Sequence, residues 1–465
     1  MLEDKNKSGV IVNDAQSKLN STWMKRLLVP KDIKEIKDAL VEAENEGLMI
    51  SIAGGRHAMG GQQFVSQGLL LDMSHFNKVI HFDSKNGWIE VQSGIEWKEL
   101  IEHIHKIKDS EIQWAIRQKQ TGVDEVSIGG SISANIHGRG LKFSPFGSDI
   151  ESFKLLNAKG DLLNCSRSEN KELFSLVIGG YGLFGIITQV VLRLVPRQKV
   201  KRVVEIIKVK DLVQKFESRI QDGAIYGDCQ YSIDLSSDWG EHKGVFSCYY
   251  NISNEIPVPR VQKRISKEKW SKLYKLTRTD KAKAFDIYSK FYLTTNNQIY
   301  WSDTHQLSNV FDGYLESVDG NEATEMITEL YITRDKLIPL LTEIKKDFLK
   351  NDVDVTYGTI RLIGKDDDSF LAWATEPMVC VVCNLHIKHS AEEIKKAKDN
   401  FQRMIDQVIS FGGRFYLTYH RWVTRQQLES CYPQFKEFLK LKLKYDPHER
   451  FQSTWYQYFK ELIEN

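Results

Sequence analysis

Residues 52–61 read IAGGRHAMGG, a run of small side chains around a single Arg-His pair. An amphipathic segment, Ile33 to Glu46, and a short apolar run, Leu48 to Ile52, lead into it. Glycine accepts positive φ and lets backbone approach a ligand that a Cβ would exclude. Successive backbone N–H groups in such a loop form a concavity suited to a diphosphate. The expectation is a loop pressed against a large flat ligand, with His57 as a nucleophilic imidazole at its centre. A second glycine-rich loop is expected at Ser127 to Gly140, SIGGSISANIHGRG, which carries His137.

Outward from these loops, the chain limits what they serve. At 465 residues it is too long for one ordinary core and implies two domains or three. Its 41% hydrophobic and 27% charged residues suit a soluble globular enzyme. A formal charge of +2 gives no basic field, so no nucleic-acid partner is expected. Six cysteines are scattered without a secreted disulfide pattern. Cys380 and Cys383 form a CxxC within MVCVVCNLHI, whose alternation reads as a buried strand. No second ligand pair accompanies it, so no metal is expected. The polar start of the sequence lacks a signal-peptide core, and no run of about 18 apolar residues occurs. The expectation is a cytoplasmic chain without a transmembrane segment.

Residues 1–25 read as an arm with little periodic pattern. Lys31 to Glu46 carries apolar residues at helical spacing, with Pro30 where a helix can start. Short strands follow at Leu48 to Ile52, Leu69 to Met73, Val79 to Phe82 and Trp88 to Val91, the third read as buried like the second. Trp97 to Lys106 reads as a helix. Ile150 to Asn157 and Asp161 to Cys165 flank Lys159-Gly160, a hairpin signal. Asn170 to Ile178 is helical, and Ile186 to Val195 is a strand ended by Pro196. Between them Gly180 to Gly185 spells GxGxxG, but here a helix precedes and a strand follows, the reverse of the dinucleotide context. It therefore reads as a tight turn beside a cofactor. From about 199 the glycines thin out, and strands alternate with charged helices. The aromatic-rich Phe285 to Trp301 reads as mobile or cavity-lining. A helix through Leu443 and a DPHERF turn follow YLTYHRW.

GGRHAMGGQ, SIGGSISANIHGRG and GGYGLFGIITQVVLRLVP, in that order and spacing, resemble the flavin loops of the vanillyl-alcohol oxidase / p-cresol methylhydroxylase family of FAD enzymes. The resemblance leans toward sugar-lactone and alditol oxidases around GRHAMGG, and toward the decaprenylphosphoryl-ribose oxidase branch around SISANIHGRG. It implies an α+β fold of two domains: an N-terminal arm (1–25), a PCMH-type FAD-binding domain (26–198), an antiparallel-sheet cap or substrate domain (199–415), and a segment (416–465) returning to the FAD domain. FAD is the implied cofactor, bonded covalently through His57. Implied contacts are Ala53, Gly54, Gly55, Arg56, His57, Ala58, Met59, Gly60 and Gln63 from the first loop. The second adds Thr121, Gly122, Ser127, Ile128, Gly129, Gly130, Ser133, Asn135, His137 and Gly138, and the third cluster Gly185 and Ile187.

The same resemblance implies oxidation of a C–OH group of a sugar, sugar lactone or alditol by hydride transfer to flavin N5, with oxygen or another acceptor reoxidising the flavin. Glu329, in TELYITRDK, is the implied glutamate for substrate hydroxyls, and Arg361, in GTIRLIG, an arginine on the neighbouring strand. His137 and Arg139 are placed beside the flavin and substrate, and Tyr419 or His420 is the implied base. Ile136 is bulky where some relatives are small; shielding of the flavin there would make the enzyme a dehydrogenase. His386 and His389 read as surface residues. Two readings of other classes stand beside this one. The first is an epimerase component acting on a lipid-linked sugar with peripheral membrane contact. The second is a binding protein that kept the fold without the chemistry.

Overall fold

The structure, a computed structural model, describes residues 7–107, 111–236, 238, 241–308 and 322–465. The fold is α+β, as the sequence implied. Its first sheet joins β1 (Lys7–Val12), β2 (Thr22–Leu28), β3 (Ile50–Ala53) and β4 (Leu69–Asp72) in the order β1-β2-β4-β3. The region read as a patternless arm is therefore half of this sheet. Its outer strand has only one hydrogen-bonded neighbour and leaves Ile11 exposed, which blurs the alternation. The helix Ile33–Glu46 begins after Asp32, whose side chain accepts from the Glu35 N–H, rather than at Pro30. Its buried face, Ile36, Ala39, Leu40 and Ala43, follows the i, i+3, i+4, i+7 spacing of the sequence.

A second sheet joins β5 (Val79–Asp83), β6 (Trp88–Gln92), β8 (Ile150–Leu156), β9 (Leu162–Ser166) and β10 (Ile186–Arg193) in the order β5-β6-β10-β8-β9. Here β5 is an edge strand, half-buried to exposed, not the buried strand expected. The strand ending at Pro196 stops at Arg193; Pro196 pairs instead across a two-residue ladder, β11 (Val195–Pro196) with β7 (Trp114–Ala115). Gly179, Gly182 and Gly185 all have positive φ in the helix-to-strand turn, as read from the GxGxxG context.

The third sheet has eight strands: β12 (Lys199–Lys208), β13 (Ala224–Tyr231), β14 (Lys243–Ile252), β15 (Ile299–Trp301), β16 (Ala323–Ile332), β17 (Val355–Ile363), β18 (Met378–Lys388) and β19 (Arg414–Phe415). Their order is β15-β12-β14-β13-β17-β18-β16-β19. Alternation sends successive side chains to opposite faces. One face packs on helices, as where Phe246 meets Phe216 of the helix Leu212–Gln221 edge-on at 4.9 Å. The other face carries Arg202, Tyr249, Asp228, Arg361 and Glu329 into a cavity. His386, read as a surface residue, is half-buried on β18, with its side chain covered and paired with Glu325 at 2.8 Å.

The last segment contains three helices, Arg425–Cys431, Phe435–Tyr445 and Thr454–Glu464, in place of the one helix through Leu443 that the sequence suggests. It returns to the first sheet. Ile50 donates to Arg450 O at 2.7 Å, Met59 to Thr418 O at 3.2 Å, and the Gln62 amide to Leu417 O and Thr418 O.

Candidate active site

A cavity of about 620 Å³ lies where the glycine-rich segments meet the open face of the eight-stranded sheet. That size suits a cofactor and a small substrate together. Ala53, Gly54, Gly55, Arg56, His57, Ala58 and Gln63 line it, with Thr121, Gly122, Ser127, Gly129, Gly130, Ser133, His137, Gly185 and Ile187. Five of the expected contacts do not reach it. Met59 and Gly60 are tied to the C-terminal segment through Thr418 O and Arg421. Ile128 is core, Gly138 packs over Gln118, and Asn135 is fully buried. Asn135, at φ 47°, anchors the turn instead: its amide donates to Asp366, its side-chain oxygen accepts from Gly147 N–H, and its carbonyl accepts from Trp373 Nε1.

The second glycine-rich loop is in fact a helix, Ile128–Ala134, capped by Ser127, followed by a loop. This changes the meaning of the first loop's glycines. A Cβ on Gly54 would strike Ser127 Oγ, and one on Gly55 would strike Glu125 O. These glycines let two protein segments close on each other, and the ligand wall is what that closure leaves. Arg56 is fixed by Asp72 at 2.5 Å. Gln63 Oε1 and Gln120 Oε1 are buried without a hydrogen-bond partner among the described residues, although both residues line the cavity. Buried acceptors without partners are costly, and hydroxyls or an imide N–H of a bound cofactor would satisfy them. Burial pulls the His57 imidazole down to about 4, with Glu125 and Asp14 opposing, so it is neutral at pH 7 and nucleophilic.

Glu329, on β16, is the centre of the opposite wall. Its Oε2 accepts from Tyr331 OH at 2.6 Å and faces His137 Nε2 at 2.9 Å; its Oε1 accepts from Tyr419 OH at 2.9 Å. Burial would raise its pKa, but the adjacent His137 and the Tyr331 hydroxyl outweigh that and hold it at about 2. The other ring nitrogen of His137 faces Gly138 O at 3.0 Å, and its ring lies 5.3 Å from Trp373. Cys380 Sγ lies 3.9 Å from His137 Nε2, and together with Glu329 these atoms have metal-ligand spacing. Burial, then Glu329, pushes the Cys380 thiol well up, so without an ion it stays protonated beside the Glu329–His137 pair.

The segment Gly138 to Leu141 lays His137 and Arg139 over the sheet by pairing with β13: Gly227 donates to Arg139 O at 2.9 Å and Leu141 to Ile225 O at 2.8 Å. Arg361 is not on the strand next to Glu329: β18 separates them, and its Nη2 donates to Thr121 Oγ1 at 2.6 Å. His420 is off the cavity altogether. It stacks on Phe401 at 4.3 Å on the far face of the sheet, and burial pulls it down to about 3. Sequence reasoning missed Arg202, Asp228 and Tyr249, and also Trp373 and Tyr331 around His137. The one available signal was a charged residue at an inward position of an otherwise apolar alternating strand.

A family profile described as "FAD binding domain" matches residues 24–166, and one described as "D-arabinono-1,4-lactone oxidase" matches residues 322–459. The two matches fall on the glycine-rich wall and on the sheet and C-terminal segment that face it. The chain is 21% identical to L-gulonolactone oxidase of Mus musculus over 440 residues, 92% of this chain and 93% of that protein. It is 24% identical to L-gulonolactone oxidase of Bos taurus over 193 residues, 41% of this chain and 42% of that protein. It is 30% identical to cytokinin dehydrogenase 3 of Oryza sativa subsp. japonica over 179 residues, 37% of this chain and 33% of that protein. The first relatives are thus matched over about two fifths or less of their own length. The FAD binding domain match supports FAD as the cofactor, and the partnerless Gln63 and Gln120 oxygens of the cavity wall fit such a group. Among the described residues no helix is long and apolar enough to cross a membrane.

Proposed function

We propose that this protein is an FAD-dependent oxidoreductase that oxidises a C–OH group of a sugar, sugar lactone or alditol, with residues 26–198 and 416–465 holding the cofactor and 199–415 forming the cap. The observation that carries the reading is the buried Glu329 carboxylate, hydrogen-bonded to Tyr419, Tyr331 and His137 in a cavity shared with the glycine-rich wall. Bound FAD supplies a two-electron acceptor for the hydride of the C–H bond.

The side chains supply orientation and a path for the proton. Three of the four lone-pair sites of Glu329 are engaged, which leaves one on Oε1 for a substrate hydroxyl. His137 faces Gly138 O with one ring nitrogen and Glu329 Oε2 with the other, and so holds the carboxylate in place. Tyr419, kept protonated by burial and by Glu329, takes the hydroxyl proton on its oxygen as it passes its own to Oε1. A carboxylate near 2 is a weak base. It suffices here because a hydroxyl becomes strongly acidic as hydride leaves its carbon. His420 has no part in this path. Arg139 and Arg361 belong to the substrate wall.

His57, neutral and on the wall, is the proposed attachment point of the cofactor. Acid precipitation should leave the yellow colour in the protein pellet, and His57→Ala should release it to the supernatant; colour in the wild-type supernatant overturns the tether alone. The activity is tested by anaerobic reduction of the bound flavin with a panel of sugars, sugar lactones and alditols. Bleaching by a panel member at a rate that Glu329→Gln lowers supports the reading, and a panel that leaves the flavin oxidised sinks it.

A further inference from the structure

Beyond Glu329, the open face of the sheet carries more positive charge than its protein partners neutralise. Arg202 is only 8% exposed; its Nη2 donates to Ser247 Oγ at 3.1 Å, while its Nε, buried, has no partner among the described residues. Its guanidinium lies 4.6 Å from the Tyr292 ring centroid and 5.5 Å from that of Tyr249. Arg139 covers the same Tyr249 ring at 5.0 Å, donates to His305 O, and reaches Asp228 only at 3.5 Å. Arg361 is also 8% exposed and also has a buried Nε without a partner. Strand order brings these together: β12 bears Arg202, β14 Tyr249, β13 Asp228 and β17 Arg361, all on adjacent strands.

Arg202 and Arg139 thus share Asp228, and Arg361 feels both Asp228 and Glu329, whose charge is already engaged by His137. Neither Arg202 nor Arg361 forms an ion pair among the described residues. The three arginines and Asp228 line the cavity. Buried charge without a counter-ion is unfavourable, and arginine in particular presents a planar fork to carboxylate or phosphate oxygens. The Tyr249 and Tyr292 rings cover guanidinium faces and leave the edges to meet a ligand. Arg361 stands two strands from Glu329, roughly 10 Å along the sheet.

From this we infer that the cap side of the cavity is an anion subsite, so that the substrate carries a phosphate or carboxylate remote from the carbon that is oxidised. The inference rests on the oxidoreductase reading for the word substrate, but not for the binding of the anion. Arg202 and Arg361 grip the anion, Arg139 adds charge from the loop above, and Asp228 offsets part of that charge.

The test uses the FAD-loaded protein, so that the cofactor's own diphosphate fills its part of the cavity. Anaerobic flavin reduction is followed with sorbitol, sorbitol 6-phosphate and gluconate, and inorganic phosphate binding is measured by calorimetry. An anionic polyol should exceed sorbitol at least tenfold in its apparent second-order reduction rate, and the arm that does so distinguishes phosphate from carboxylate. Arg202→Met should reduce that preference and weaken phosphate binding at least tenfold, Arg202→Lys should retain part of both, and Asp228→Asn should tighten phosphate binding. Equal or better reduction by sorbitol, or phosphate binding that is absent or indifferent to Arg202→Met in a protein of normal flavin content, overturns the subsite. Should no polyol reduce the flavin, the oxidoreductase reading fails, and calorimetry alone decides the anion subsite by the same criterion.

Discussion

The two walls of the cavity are built on opposite principles. The glycine-rich wall is made of contiguous stretches in which small residues let Gly54 and Gly55 close on Glu125 and Ser127. The sheet wall is assembled from residues on separate strands, among which Arg202, Asp228, Glu329 and Arg361 are charged and buried. The first wall is a shape and the second is a set of charges. A change in one should therefore show first in cofactor retention, and a change in the other in chemistry.

The largest effect expected from that division is at Glu329. Glu329→Gln keeps the volume but removes the proton's destination, and should slow flavin reduction by about 10²- to 10⁴-fold while flavin content stays normal; stopped-flow reduction measures it. Equal loss of flavin would erase the distinction between the walls. Gly54→Ala should act the other way round. Its Cβ meets the hydroxyl that caps the helix Ile128–Ala134, a clash worth about 1–3 kcal/mol. A lowered denaturation midpoint and lost flavin should accompany a normal reduction rate in the molecules that retain it.

Ile136, 8% exposed and on the wall beside His137, probes the seam between the two. Ile136→Gly should speed reoxidation of the reduced protein by air about tenfold, because access of a small acceptor to a shielded centre is a matter of shape. Unchanged reoxidation would show that this side chain shields nothing.

The smallest effect belongs to acid stability. His57 at about 4 and His420 at about 3 are both depressed by burial below the ordinary value of 6.5. The unfolded chain then binds more protons than the folded one. Stability is full above pH 6.5 and declines as pH falls toward 4 and 3, each imidazole costing up to about 1.4 kcal/mol for every pH unit descended. His420→Phe, which keeps the stack on Phe401, should flatten that decline in a melting-temperature profile without altering flavin content. A profile as steep as the wild type's would assign the acid loss to other groups.

How legible each wall was in the sequence follows from the same contrast. Residues 52–61 and 127–140 are contiguous and unusual in composition, so they could be read directly, and the amphipathic helix Ile33–Glu46 follows its spacing. Even there the glycines suggested approach to a ligand, because sequence alone does not show that another segment lies closer. Glu329 could be picked out only by resemblance. Arg202 and Asp228 could not, because their neighbours on the wall lie on other strands, far along the chain. The expectation for Arg361 places it on an adjacent strand, and β18, later in sequence, inserts between the two. His420 and Tyr419 are consecutive and look equivalent in sequence, yet only Tyr419 turns into the cavity.

The hydrogen bonds from Ile50, Met59 and Gln62 to Arg450, Thr418 and Leu417 impose an order in time. A ribosome delivers the glycine-rich wall early and its supports last, some 350 residues later. While the chain is still being made, the loop around His57 lacks the struts that hold it, so cofactor loading is expected to follow synthesis of the last segment. A chain stopped at Gly413 should emerge colourless although every residue of the first wall is already present.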